Sequence, residues 1–206
     1  MAGLRVLPIG PPGAGKGTQS RRIAEEYDIP HISTGDMLRE NKDMETEHGT
    51  PGEYMDAGEL VPDAVVKRVV EEALSDRDGF ILDGYPRTIE QAEHLDSVTS
   101  LDAILSIVVD REAIIERLSG RRVDPETGRN YHVEFDMPDD PAIRERLIQR
   151  EDDQPDQIET RLDEYESKTE PVLEYYRDEA AFVEVDGQQS PDAVYAEIAE
   201  VLDDIA

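Results

Sequence analysis

Gly10-Pro11-Pro12-Gly13-Ala14-Gly15-Lys16-Gly17-Thr18 follows the apolar run Leu4-Arg5-Val6-Leu7-Pro8-Ile9 and leads into a helix-compatible segment that begins near Gln19. A strand delivering the chain to such a loop aims successive backbone N–H groups at one point, and the next helix adds its partial positive N-terminus. Lys16 brings a full charge to the same place. The stretch reads as a cradle for the β- and γ-phosphates of a nucleotide, with Gly13, Ala14, Gly15, Lys16, Gly17 and Thr18 as its contacts. A plain glycine-rich turn with a surface lysine would not require strand, glycines, lysine and helix in that order. Phosphate loops commonly place Ser or Thr directly after the lysine, where the hydroxyl meets Mg2+. Here Gly17 fills that position and Thr18 follows. Either Thr18 or carboxylates elsewhere, acting through water, must hold the metal.

Outward from the loop, apolar runs at 29–32, 79–82, 103–109 and 181–185 alternate with helical patterns. That alternation is how a parallel α/β sheet reads, so the chain is expected to fold as a P-loop NTPase with five parallel strands flanked by helices. Val65, Val66, Val69, Val70 and Leu74 repeat at helix spacing, as do Ile114, Ile115 and Leu118, and both sets are expected to face the core. Ser190 and Pro191 fit the cap and first position of a closing helix whose buried face is Val194, Ile198, Val201, Leu202 and Ile205. Pro8 is awkward in a central strand because it cannot donate to a ladder; a bulge, or a ladder side left open, would accommodate it. Two polar segments rich in Gly and Pro, 34–61 and 120–153, interrupt the alternation and read as movable insertions in a core formed by 1–33, 62–119 and 154–206.

The 206 residues contain no cysteine, which excludes disulfides, thiolate nucleophiles and thiolate zinc sites. No apolar run approaches the length of a membrane span, and a soluble, cytoplasmic protein is expected, without nucleic-acid or membrane partners and monomeric. The formal net charge is −29, with 50 acidic residues spread along the whole chain. Apolar periodicity argues for a packed fold over disorder. A surface so uniformly acidic suits a high-salt cytoplasm, where the field is screened.

Five arginines accompany the loop. Arg39 ends Ser33-Thr34-Gly35-Asp36-Met37-Leu38-Arg39, Arg87 ends Leu82-Asp83-Gly84-Tyr85-Pro86-Arg87, Arg121 opens Arg121-Arg122-Val123, and Arg150 and Arg161 flank Asp152-Asp153-Gln154. Singly, each reads as a surface ion pair. Together with the loop, and in this order and spacing, the chain resembles the adenylate kinases of the long-lid type along essentially its whole length.

That resemblance implies reversible phosphoryl transfer from MgATP to AMP, giving two ADP. It implies that Lys16 and the loop backbone hold ATP phosphates, with Arg87, Arg121, Arg150 and Arg161 around the transferring group. Arg117 would stack on the ATP adenine, and Asn130, Tyr131 and Gln189 complete the ATP side. The AMP side comprises Thr34, Arg39, Glu59, Leu60, Val61, Gly84, Tyr85, Pro86, Arg87 and Gln91, with Arg150 and Arg161. Asp36 and Asp83 would orient Mg2+ through water. Transfer between two polyanions needs neutralisation and in-line positioning, which arginine forks supply.

Gln91 is the residue expected to choose the base, because a side-chain amide pairs bidentately with an adenine edge. By the same resemblance, 34–61 is the monophosphate-binding insertion and 120–153 the lid. Some relatives pin the lid with zinc through cysteines; no zinc is expected here, and Asp124, Thr127, Tyr131 and His132 are candidates for a hydrogen-bonded substitute. Two alternatives stand beside the main reading. One is a related kinase preferring UMP or CMP, and the other is a nucleotide-binding regulator that has lost transfer.

Overall fold

The computed structural model describes residues 3–75, 77–179 and 181–206. Its centre is a five-stranded parallel sheet in the order β2-β3-β1-β4-β7, formed by β1 (Arg5–Ile9), β2 (His31–Ser33), β3 (Phe80–Asp83), β4 (Ala103–Val108) and β7 (Phe182–Asp186). All five expected strands are present. The run at 29–32 shifts to His31–Ser33, with Pro30 lending its carbonyl to Ile81 N–H just before the strand.

The strands read as continuous apolar runs because both faces are covered. Successive residues of β1 point to opposite sides. Leu7 and Ile9 pack with Phe80, Leu82, Ile104, Val172 and Tyr176 on one face, while Val6 packs with Ile81, Leu105, Ile23, Ile198 and Leu202 on the other. Helices α1 (Lys16–Glu26) and α10 (Pro191–Asp203) close the second face, the latter capped by the Ser190 hydroxyl on Ala193 N–H. Helices α4 (Asp63–Leu74), α5 (Ile89–Val98) and α9 (Glu170–Tyr176) lie on the first. Two expected core residues are corrected: Ile115 and Ile205 are exposed. Helix α6 (Arg111–Gly120) buries only Ile114, Leu118 and Gly120, a stripe one residue wide per turn, and Ile205 follows the last turn of α10.

Pro8 has a physical account. The Leu4 carbonyl accepts from Phe80 N–H, whereas the Arg5 carbonyl accepts from Asp102 N–H, so even-numbered residues of β1 face β3 and odd-numbered ones face β4. Pro8 therefore turns its missing donor toward β3. Pairing with β3 covers only Arg5↔Phe80 and Val6↔Ile81, while pairing with β4 continues through Ile9. The ladder side left open is the one that residue 8 would have had to serve.

Segment 34–61 carries α2 (Thr34–Glu40), capped by the Ser33 hydroxyl, and α3 (Pro51–Asp56), which starts in a capping box between Thr50 and Glu53. Segment 120–153 forms an antiparallel pair, β5 (Arg121–Val123) with β6 (Asn130–His132), followed by α7 (Pro141–Arg146) and a 3-10 turn at Glu151–Asp153. Helix α8 (Pro155–Glu164) then runs through a π-helical turn, Tyr165–Thr169, into α9. The π turn precedes Pro171, which has no N–H to continue an ordinary helical ladder. No helix among the described residues is long and apolar enough to cross a membrane.

Candidate active site

In open α/β sheets the ligand crevice lies beyond the carboxyl ends of the strands, where the chain order reverses. Here that point is the end of β1, between β3 and β4, and the loop at 10–15 occupies it. Gly13 and Gly15 take left-handed backbone (φ 81° and 95°), and Gly15 caps α1 directly. Gly10 is required for space, since a Cβ there would stand 2.5 Å from the Ile107 carbonyl oxygen. Lys16 folds over the loop and donates to the Gly10 and Pro11 carbonyls, both at 2.8 Å. Burial lowers its pKa to about 8; Asp83 opposes the shift, while Arg87, Arg161 and Arg121 add to it.

Gly17 is explained by its neighbour. A Cβ at position 17 would lie 3.2 Å from Asp83 Oδ2, so the carboxylate at the end of β3 stands where a Ser or Thr side chain would project. Burial pushes the Asp83 pKa up, but His31, Lys16 and Arg87 outweigh it and hold the group below the ordinary carboxylate range. His31 Nε2 stands 3.6 Å from Asp83 Oδ2, an electrostatic contact beyond hydrogen-bond length. Asp36, the other expected metal carboxylate, is exposed and ion-paired with Arg39 at 2.8 Å, although it lines the same cleft.

A cleft of about 650 Å3 runs from the loop, and all six singled-out arginines (39, 87, 117, 121, 150 and 161) line it. The fold brings them from α2, the turn after β3, α6, β5, the residue before the 3-10 turn and α8. Arg87 donates to the Gly84 carbonyl at 2.8 Å, enclosed by protein on the cleft floor yet open to solvent on one side. That enclosure and Arg161 beside it lower its pKa to about 10, and burial with Arg39 and Arg121 does the same for Arg150. Both stay charged near neutrality. On the nucleotide side of the loop, Arg117 donates to the Gly187 carbonyl at 2.9 Å, near Gln189, Asn130 and Tyr131 on the same wall.

Two acidic residues of this cluster carry more than the sequence suggested. Asp153, fully buried, receives a bidentate fork from Arg121 and a bond from Arg161 Nη1 at 3.1 Å. Asp152 takes Arg161 at 3.1 Å and Arg39 at 3.7 Å. These carboxylates hold guanidinium groups from both insertions and from α8 at one point. Their signal was present as two adjacent acids between the paired arginines.

A smaller pocket of about 60 Å3 opens off the cleft, lined by Thr34, Glu59, Leu60, Val61, Gly84 and Gln91 among others, and shares Arg39, Arg87 and Arg161 with it. Gly84 again has left-handed backbone (φ 88°), and a Cβ there would press on Thr34 Oγ1 at 2.7 Å. Tyr85 and Pro86, joined by a cis peptide, form the turn before Arg87. Tyr85 lines the cleft, yet its side chain is 1% exposed and its hydroxyl bonds His94 Nδ1 at 2.8 Å, with His94 in turn on Glu71.

The hydrogen-bonded network expected in the 120–153 segment is half correct. Asp124 accepts from Thr127 Oγ1 at 2.8 Å and Glu126 N–H at 3.1 Å, and its other partner is Arg146, which grips both carboxylate oxygens at 2.6 and 2.7 Å. That grip holds Asp124 below the ordinary carboxylate range and raises Arg146. His132 and Tyr131 stand outside the network. His132 stacks on Phe135 at 4.4 Å between ring centres, and Tyr131 lies under the Arg129 guanidinium at 4.8 Å. No cluster of three or more acidic or histidine side chains suited to a metal occurs among the described residues.

A parallel sheet with a glycine loop at its switch point, and a lysine and six arginines facing one cleft, defines a P-loop protein built for phosphoryl transfer. Comparison with known proteins narrows the class. The adenylate kinase family model matches residues 8–181. The chain is 53% identical over 204 residues to an adenylate kinase of Natronomonas pharaonis, covering 99% of each. It is 52% identical to one of Haloarcula marismortui (98% of each) and 45% to one of Salinibacter ruber (97% of this chain, 98% of the other). The chain belongs to the adenylate kinase family.

Proposed function

We propose that this protein transfers a phosphoryl group reversibly from MgATP to AMP, giving two ADP. The observation that carries the reading is the convergence of Lys16 and the arginines from both insertions on one cleft beside the phosphate loop. A protein that merely bound one nucleotide would have no use for a second phosphate clamp reached from segment 34–61.

In the forward direction an oxygen of the AMP phosphate attacks the γ-phosphorus as the bond to the β,γ-bridging oxygen breaks. No side chain needs to act as a nucleophile. Lys16 and the loop N–H groups take the β- and γ-phosphates, and Lys16 exchanges its loop carbonyls for phosphate oxygens. Arg39 and Arg87 take the AMP phosphate. Arg121, Arg150 and Arg161, preset by Asp152 and Asp153, meet the charge that develops on the transferring group. Arg117 lies against the donor base, with Asn130, Tyr131 and Gln189 beside it.

Bound Mg2+ would supply neutralisation of the phosphate charge. Asp83 would hold it, directly or through water, as a carboxylate kept ionised beside Gly17. Asp36 would need to release Arg39 to join it. Segment 120–153 acts as the lid that keeps water from accepting the phosphoryl group, segment 34–61 holds the monophosphate, and the enzyme works as a cytoplasmic monomer.

The test is a coupled assay with ATP and each of AMP, CMP, UMP and GMP, run in molar KCl. Turnover with AMP far above the others is expected. Comparable rates with CMP or UMP would replace the acceptor assignment, and no turnover with any acceptor would leave a regulator.

A further inference from the structure

Gln91 lies in the wall of the smaller pocket, 2% exposed, one turn into α5. Its amide is held at both ends. The oxygen accepts from Arg87 N–H at 2.8 Å, and the nitrogen donates to Asp63 Oδ1 at 2.6 Å. The second Asp63 oxygen takes the Thr88 hydroxyl at 3.3 Å, and Thr88 Oγ1 also accepts from Gln91 N–H at 3.2 Å. Asp63 is the first residue of α4, two places after the segment that carries Arg39, so one carboxylate joins the N-terminal ends of α4 and α5.

An amide's two ends look alike in shape but not in chemistry. If the Gln91 amide turned over, its NH2 would face the Arg87 N–H, donor against donor, and its oxygen would face the Asp63 carboxylate, acceptor against acceptor. Both contacts are unfavourable at a buried position, so only one orientation survives. In that orientation one N–H and one oxygen lone pair remain for the pocket. An adenine edge offers a ring-nitrogen acceptor beside an exocyclic amine donor. A hypoxanthine or guanine edge offers the mirror order, a carbonyl acceptor beside a ring N–H. Turning the amide over would therefore exchange one reading for the other.

We propose that Asp63 is a positioning residue for acceptor choice, which locks the Gln91 amide in the sense that reads a 6-amino purine and rejects a 6-oxo purine. This rests on the reading of Gln91 as the base-contacting residue. A purely structural role for Asp63, as a first-turn acid of α4, predicts something different: its loss would lower stability without changing the choice of base.

Asp63→Ala, Asp63→Asn, Gln91→Ala and the double variant Asp63→Ala/Gln91→Ala are assayed with saturating ATP and either AMP or IMP, whose hypoxanthine differs from adenine only along this edge. Asp63→Asn is nearly isosteric and guards against a misfolded alanine variant. The expected result is a loss of about tenfold in the AMP-to-IMP ratio of kcat/KM for Asp63→Ala, carried by KM, and a smaller loss for Asp63→Asn. KM for ATP stays unchanged. The double variant should be no worse in that ratio than Gln91→Ala alone, because Asp63 acts only through the amide. An unchanged ratio in both Asp63 variants, or additive losses in the double variant, overturns the proposal while leaving Gln91 as the reader. An unchanged ratio in Gln91→Ala removes the adenine reading itself, and the proposal with it.

Discussion

At the scale of single residues, the cleft is a balance of charges held apart by a few carboxylates. Lys16 is the clearest case. With its pKa lowered to about 8, the lysine is half neutral at pH 8 and largely neutral by pH 9, whereas a bound phosphate would restore the charge and raise the pKa. ATP binding should then take up about half a proton at pH 8 and close to one at pH 9, and affinity should fall as pH rises above about 8. Calorimetry in buffers of different ionisation enthalpy reads the proton count directly, and a count near zero at pH 9 would contradict the assignment. The arginine forks are equally specific. Arg121→Lys keeps the charge but loses the bidentate match to Asp153, and kcat should drop about 10²–10³-fold, as for the loss of one preset donor. Rapid-quench measurement of the transfer step would show it even where product release limits turnover. Most of these side chains were legible in the sequence because each sits in a short string of fixed order. Asp63 was not, and Asp152 and Asp153 showed only as two adjacent acids between Arg150 and Arg161, because a carboxylate that acts by holding an arginine or an amide looks like any of the chain's 50 acids until its partner is placed.

Among the elements, the strands were read nearly to the residue, since a strand buried on both faces is a bare apolar run. Helix α6 misled at Ile115 because it meets the core through Ile114 and Leu118, packed with Ala14, Ile107, Ile158 and Leu162, a narrower stripe than the spacing of its apolar residues suggests. Segment 120–153 was the least legible part. Its pin joins Asp124 to Arg146, 22 positions apart and across two turns, and no local pattern links them. Asp124 accepts four hydrogen bonds in all, so this short sheet has a charged hub where an apolar core would be too small to form. Arg146→Met should therefore loosen residues 121–148 selectively. Hydrogen exchange in that segment should speed up while β1, β3 and β4 remain protected, and the rate of ATP hydrolysis without AMP should rise as water reaches the site. Equal loss of protection in residues 121–148 and in the central sheet would show that the pin is not local. The π turn at Tyr165–Thr169 works in the other direction. It points Thr169 Oγ1 at the Arg87 carbonyl, 3.0 Å away, so the helix carrying Arg161 is tied to the turn carrying Arg87.

For the whole molecule the governing quantity is a net charge of −29. At 0.1 M salt the Debye length is about 10 Å and at 1 M about 3 Å, so the mutual repulsion of surface acids is strong in the first case and largely gone in the second. The thermal midpoint should rise steadily from low to molar KCl, and a flat profile would remove the charge argument. Activity should follow. ATP and AMP are anions approaching an acidic surface, and screening shortens the reach of that repulsion while the enclosed arginines still act at contact distance. Michaelis constants for both nucleotides that climb with KCl would count against this.

The open side of β1 has a consequence for how the cleft persists at all. Adjacent parallel strands tend to pair along their full length, and every added rung between β1 and β3 would draw Ile9 and the loop toward Asp83. Pro8 withholds the donor that the next rung requires, so the two strands part after Val6 and Ile81, and Lys16 and the Asp83 carboxylate both line the cleft beyond their ends. A ring that cannot donate works here as a zip stop: it fixes how far the sheet may close and guarantees the nucleotide a place to enter.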